Sequence, residues 1–359
     1  MSTLPSRRAF LTGTLGSALL AVAACSGDPA VPAATAGATD GSAAPGTAVG
    51  PTTIRFALDW TPNTNHTGLY VALQQGWFTE IGLDVQVLPY SSALPDTLID
   101  AGAAEFGISF QDSSARAQAA GAGVVSVFAV LQHWATAIGV RADRAELSSP
   151  KDLDGLTYAG FGDPVEQPLL QAVIRDAGGA GDFTTVTLGT SAYEALYSGD
   201  VDFTIPFTAW EGIEAERNGT PMKYFHYTDY GFPDAYAVVV DGSRSWIRDH
   251  PEQARAFLGV LQRGYQLAAD YPDTAAELLI KANPGAFTDE ELVKESQRTL
   301  AADLLKSADG TVGAQDAAQW SAFGRFLFDA GVLVDVDGAP LTAEPDFGSY
   351  FTTDLLTAP

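Results

Sequence analysis

Cysteine is nearly missing from this chain of 359 residues, which has one, Cys25. A single thiol excludes an internal disulfide framework and any cysteine cluster around a metal. Positive charge is also scarce, with 19 Lys and Arg against 44 Asp and Glu, for a net of −25. That balance argues against nucleic acid, whose phosphates would be repelled. It argues equally against a polyanionic ligand, unless a local positive pocket overrides the field. The four histidines, His66, His133, His226 and His250, lack short metal-ligand spacing, so no metal site is expected. There is no Gly-x-Ser-x-Gly elbow, and past the first fifty residues no run is long and apolar enough to span a bilayer. What is present is apolar material, 46% hydrophobic and 10% aromatic, enough for a large core and two domains.

The first fifty residues read as an address. Arg7 and Arg8 precede an apolar stretch from Phe10 to Ala24 that ends Val22-Ala23-Ala24-Cys25. About 15 residues is short for a membrane span, which needs about 20. The paired arginines resemble a twin-arginine export signal and the ending resembles a lipobox. The expectation is a signal peptide over 1–24 and lipidation at Cys25. Residues 26–51 are mostly Ala, Gly, Thr, Pro and Ser, too poor in apolar side chains to offset the entropy of ordering. Residues 25–51 are therefore expected to be a lipid-anchored flexible tether, with membrane contact through the lipid alone and an extracytoplasmic body.

From Thr52 the body alternates strands and helices. Ile54, Phe56 and Leu58 have strand period, and Thr67–Gln75 reads as a helix stopped by Gly76. Further strands are expected at Leu83–Val87, Phe106–Ser109, Val124–Leu131, Leu156–Gly160, Thr184–Leu188, Asp202–Ile205 and Ala235–Val240. Helices are expected at Asp96–Ala101, Leu169–Ala177 and Ala192–Tyr197, with a mostly helical stretch after Val240 to about Phe328. The alternation implies an α/β fold with mainly parallel sheets. Two such units followed by helices predict two lobes, the chain crossing twice, at Ala137–Arg141 and Tyr236–Val240. Lobe 1 would comprise 52–139 plus 240–359 and lobe 2 residues 140–239.

Open α/β sheets bind ligands beyond the carboxyl ends of their strands. The loops there hold Asp59, Trp60, Asn63, Asn65 and His66; Ser109, Gln111 and Asp112; and Gln132, His133 and Trp134. On the second lobe they hold Gly160 to Pro168 with Glu166, Pro206 to Gly212 with Trp210 and Glu211, and Asp229 to Tyr236 with Asp234. Glu166 has two readings. It could complete a capping box with Asp163 at the N-cap and Pro164 at N1, or it could face a ligand. Pro168, inside the first turns of such a helix, favours the second. The Gly160 loop lacks dinucleotide and P-loop patterns and contributes no cation, so phosphate is poorly served and no cofactor is expected. Together the loops point to a flat ligand with hydrogen-bond donors. Indoles would stack on it and carboxylates would accept from its amino groups or protonated ring nitrogens.

The run Asp59-Trp60-Thr61-Pro62-Asn63-Thr64-Asn65-His66-Thr67-Gly68-Leu69-Tyr70 resembles the signature of thiamine-pyrimidine-precursor solute-binding proteins of ABC importers. Phe106 to Gln111, Gly162 to Glu166 and Trp210 to Glu214 resemble further pieces of that pattern. The resemblance implies a type II periplasmic-binding-protein fold, with two lobes around a cleft that closes by a hinge, and delivery to an ABC permease. It also implies a formylaminopyrimidine or hydroxymethylpyrimidine ligand, with riboflavin or another flat heterocycle as the alternative. Carried over, it makes Trp60, Asn63 and His66 ligand residues of lobe 1, and Glu166, Trp210, Glu211 and Asp234 those of lobe 2. Gln111 and Trp134 join them from the loops. The same fold hosts pyrimidine synthases with a Cys-rich loop. Residues 231–239 hold no cysteine, and the positions around Ser109 and Ser114 offer neither Lys nor His, so a pyrimidine-processing enzyme is the lesser alternative. A monomer without catalytic residues is expected.

Overall fold

Strand, helix, strand is the repeating step of the chain, and in the structure, a computed structural model describing residues 51–91 and 93–356, those steps lay down two five-stranded sheets. Strands β1 (Thr52–Ala57), β2 (Leu83–Leu88), β3 (Phe106–Ser109) and β4 (Val124–Ala129) begin the first sheet. Strands β5 (Ile138–Arg141), β6 (Thr157–Gly160), β7 (Thr184–Thr187), β8 (Phe203–Thr204) and β9 (Met222–Phe225) form the second. Strand β10 (Val239–Ser243) then returns to the first. The orders are β2-β1-β3-β10-β4 and β7-β6-β8-β5-β9. Each sheet carries one lobe. The expected signal peptide, Cys25 and the tether lie outside the described residues, apart from Pro51.

The expectation of mainly parallel sheets holds for four strands of five in each, and the first correction is the one antiparallel strand apiece. β1 runs parallel to β2 and β3, and β6 to β7 and β8, but β10 is antiparallel to β3 and β4, and β5 to β8 and β9. The strands that break the pattern are the two that cross between lobes. A crossing strand enters without the helical crossover that returns a chain parallel to its neighbour. The second correction concerns β10, which starts at Val239 rather than Ala235. Residues 235–238 are buried, yet the Tyr236 N–H goes to the side chain of Gln111 and the Val238 carbonyl takes two N–H groups, from Val130 and Leu131. Apolar content there marks burial, not a ladder.

The helices are α1 (Thr67–Gln74), α2 (Trp77–Glu80), α3 (Pro95–Asp100), α4 (Gln111–Ala119), α5 (Glu166–Asp176), α6 (Ala192–Ser198) and α7 (Glu211–Arg217). After β10 come α8 (Arg244–Asp249), α9 (Pro251–Asp270), α10 (Pro272–Ala282), α11 (Glu290–Asp303) and α12 (Ala317–Asp329). Ala254, Phe257, Leu258, Leu261, Tyr265 and Ala268 give α9 a buried stripe at helical spacing. Phe257 stacks on Phe106 and Phe78, with ring centroids 4.6 and 5.3 Å away. Where α9 meets α1, Gly264 faces the carbonyl of Gly68, and a Cβ there would lie 2.0 Å from that oxygen. That close crossing holds the loop before α1 against the body of the first lobe.

Candidate functional site

The loop leaving β1 is organised by its own side chains. Asn63 caps the turn Thr64–His66, its side chain accepting from the Asn65 N–H at 2.9 Å and donating to the Thr61 carbonyl at 3.2 Å. The Asn63 N–H donates to His66 Nδ1 at 3.3 Å, which leaves the ring proton on Nε2, where it meets Asp59 Oδ1 at 2.7 Å. Tyr265 donates its hydroxyl to the Asn65 carbonyl at 2.6 Å. The His66 side chain is 0% exposed. This corrects the expectation for His66, because an enclosed ring with both nitrogens bonded has nothing left to offer a solute. Asn63 likewise spends its side chain on the turn.

Trp60 behaves differently. Its ring lies 5.2 Å from Tyr90 and 6.3 Å, edge-on, from Phe161 of the second lobe. Phe161 in turn lies 5.6 Å from Tyr193 on α6. Trp210 turns to other neighbours, 6.1 Å from Phe287 and packed on the cluster of Tyr70, Leu279 and Val293. The expected pair of indoles is thus replaced, on the Trp60 side, by tyrosine and phenylalanine.

Glu166 also departs from expectation. Its carboxylate accepts from the Phe161 N–H at 3.0 Å, the Asp163 N–H at 3.0 Å and the Tyr158 hydroxyl at 2.8 Å. Asp163 returns the favour to the Val165 N–H at 2.9 Å. The contact of Asp163 with Glu166 is the one the capping-box reading expected, but the helix starts at Glu166, with Val165 as an N-cap that makes no side-chain cap, so the carboxylate organises the preceding loop instead. Pro168 is no obstacle, being the third residue of α5, where an N–H has no helical partner to lose. Gly160 makes room, since a Cβ there would sit 2.4 Å from Glu166 Oε2. Glu166 therefore shapes the loop that presents Phe161.

Glu211 is buried at the start of α7, one oxygen accepting from the Phe207 N–H at 3.0 Å. Burial pushes its pKa up to about 8, so the carboxyl is mostly protonated at neutral pH. Its charge, when present, adds to the burial that raises Tyr193. Gln111, fully buried, gives its carbonyl to the Tyr236 N–H at 2.8 Å, while its Nε2 has no acceptor in the protein. The indole N–H of Trp134 also lacks an acceptor, and its ring packs on Phe232 at 4.9 Å and Phe323 at 5.5 Å. Asp234 accepts from the backbone of Trp134 and Ala235, both at 3.0 Å, and from His133 Nδ1 at 2.6 Å. It ties the two crossing segments together, which corrects its expected place against a ligand.

Sequence reasoning missed Tyr90, Tyr193 and Arg116. Arg116 on α4 reaches Asp163 at 2.7 Å and Asp112 at 3.8 Å, joining the two lobes beside the Trp60–Phe161 contact. Burial raises Asp112 to about 6 against the opposing pull of Arg116. The signal for Tyr90 was its place just beyond β2; for Tyr193 and Arg116, on helix surfaces, there was none. A hollow of about 190 Å³ beside Glu166 is lined by second-lobe residues alone, including Tyr158, Thr185 and Thr187.

The NMT1/THI5-like family pattern matches residues 63–275. A formylaminopyrimidine-binding protein of Halalkalibacterium halodurans is 30% identical over 303 residues, covering 83% of this chain and 90% of that one. A 4-amino-5-hydroxymethyl-2-methylpyrimidine phosphate synthase of Legionella pneumophila is 24% identical, over 64% of this chain and 74% of its own. Among solved structures, the alkanesulfonate-binding protein SsuA of Xanthomonas axonopodis pv. citri bound to MOPS superposes with a TM-score of 0.63. It is 15% identical and the match covers 85% of this chain and 99% of that one, a likeness of periplasmic-binding-protein fold alone. This chain belongs to the NMT1/THI5-like family.

Proposed function

We propose that the protein is a lipid-anchored, extracytoplasmic solute-binding protein of an ABC importer, and that it captures a thiamine-related aminopyrimidine by closing its lobes. One observation carries the reading. Trp60 of the first lobe meets Phe161 of the second, with Tyr90 and Tyr193 around them. A planar heterocycle entering between these rings would exchange water for aromatic faces from both lobes, and so would favour the closed arrangement. Glu211 supplies the polar complement. A neutral carboxyl both donates and accepts, and so matches an edge carrying a ring nitrogen beside an amino group. Gln111 Nε2 and Trp134 Nε1, donors without acceptors in the protein, are further groups for the ligand's oxygen or nitrogen atoms. Identity with the formylaminopyrimidine-binding relative supports the same ligand class.

Calorimetry with formylaminopyrimidine and 4-amino-5-hydroxymethyl-2-methylpyrimidine tests the reading. The unmodified protein binds at least one, and Trp60→Ala loses binding at an unchanged melting temperature. Full affinity in that variant removes Trp60 from the site. Because synthases also occur among the relatives, the same incubations are followed by mass spectrometry, and turnover would replace capture by catalysis.

A further inference from the structure

We infer that Asp59 is the first lobe's acceptor for the ligand's amino group, and that His66 is the positioning residue that aims it; the inference rests on the aminopyrimidine reading above. Most buried or half-buried carboxylates of the molecule are already answered by the protein. Glu105 meets Arg55, Asp163 meets Arg116, Asp202 meets Arg144, and Glu166 takes its donors from a loop. Asp96 and Asp241, which face one another without a cation in contact, are sealed in the first-lobe core and are beyond the reach of a solute.

Asp59 fits neither group. Its side chain is 8% exposed, and among the described residues its one ion-pair partner is His66. A carboxylate offers about four acceptor positions, and a neutral imidazole fills one of them. Oδ1 is engaged by His66 Nε2 at 2.7 Å, the one side-chain hydrogen bond of Asp59 among the described residues. An acceptor set this deep and left this short of donors is a place for a ligand N–H. It stands at the carboxyl end of β1, directly before Trp60, whose ring reaches the second lobe. The ligand would thus be read from two sides, by the Asp59 carboxyl on the first lobe and by Glu211 on the second.

His66 acts only through Asp59. The Asn63 N–H on Nδ1 fixes the tautomer, and complete enclosure fixes the ring, so the Nε2–H holds one carboxylate oxygen and orients the other.

Two probes decide the matter, 4-amino-5-hydroxymethyl-2-methylpyrimidine and its analogue with hydrogen in place of the 4-amino group, each titrated into the full chain by calorimetry. We expect the unmodified protein to prefer the amino compound. Asp59→Asn, close in size, should weaken the amino compound by about tenfold or more and the analogue little, because a charge-assisted hydrogen bond is lost for one and not the other. His66→Gln keeps an N–H near the Nε2 position and should retain most of the preference, whereas His66→Leu should lose it as Asp59→Asn does. Should Asp59→Asn bind both probes as the unmodified protein does, or lose both equally, the inference is overturned while the ligand class stands. Should the unmodified protein bind neither probe, the ligand class is wrong and the inference falls with it.

Discussion

On the first-lobe wall of the cleft, Asn63, Asn65 and His66 turn inward and spend their polar atoms on one another and on the Tyr265 hydroxyl. On the second-lobe wall, residues 160–163 carry few such side chains and are gathered instead around the single carboxylate of Glu166. The first is a set of interlocked groups backed by the α1–α9 crossing; the second is a ring of backbone around one acceptor. The carboxyls differ in the same way, since Asp59 is held by His66 on the first wall, while burial raises Glu211 behind the second. On the proposed reading of lobe closure, the interlocked wall would hold its shape and the other would settle on what the first has bound.

The largest test of the contrast is the charge state of Glu211. In the unfolded chain this carboxyl ionises near 4.5, and in the folded protein near 8. Between those values the folded state holds a proton that the unfolded state has lost, so stability falls as pH rises through that window and levels off above it. The loss over the full window is on the order of 5 kcal/mol, by the usual 1.4 kcal/mol per unit. Urea unfolding at pH 5, 6.5 and 8 measures it. Glu211→Gln should flatten the profile, and an unchanged slope in that variant would place the titrating group elsewhere.

Next in size is Glu166→Ala. Removing the carboxylate leaves the Phe161 and Asp163 N–H groups and the Tyr158 hydroxyl without their acceptor, at a cost of about 2 kcal/mol. The second-lobe loop should loosen and ligand affinity fall by more than tenfold, through the loop that carries Phe161. Hydrogen exchange would locate the change at 160–165 and leave 59–66 protected. Faster exchange in both segments would show that the walls are not independent.

Much of this was legible in the sequence, and the failures have physical causes. The alternation of Ile54 and Phe56, the unbroken run of β4 and the turn residues after Asp59 placed strands and the loop between them correctly, because burial period and turn chemistry are local. The contact of Asp163 with Glu166 was legible too, but not the helix start, which falls at Glu166 and not at Pro164. Hydrophobicity put β10 four residues early, since it reports burial and not which backbone groups pair. Trp210 could not be distinguished from Trp60, because an aromatic at a strand end does not say which neighbour it will turn to. Phe161 stood in a recognised loop, but its meeting with Trp60 depends on how two lobes come together.

The smallest expected effect concerns the tie between the walls. Arg116 is on the first lobe, and its pair with Asp163, at 2.7 Å, catches the very loop that Glu166 shapes. A partly exposed pair of this kind contributes less than about 1 kcal/mol to folding, so Arg116→Ala should hardly move the urea midpoint. Under the proposed closure the pair would form only when the lobes meet, so its energy would be differential between open and closed. Stopped-flow release of a bound pyrimidine should therefore quicken a few-fold in Arg116→Ala while association stays the same. Salt should quicken release from the unmodified protein by screening the pair, and should have little further effect on the variant. Equal salt sensitivity in both would assign closure to the aromatic contact alone and leave Arg116 a surface residue that happens to lie near it.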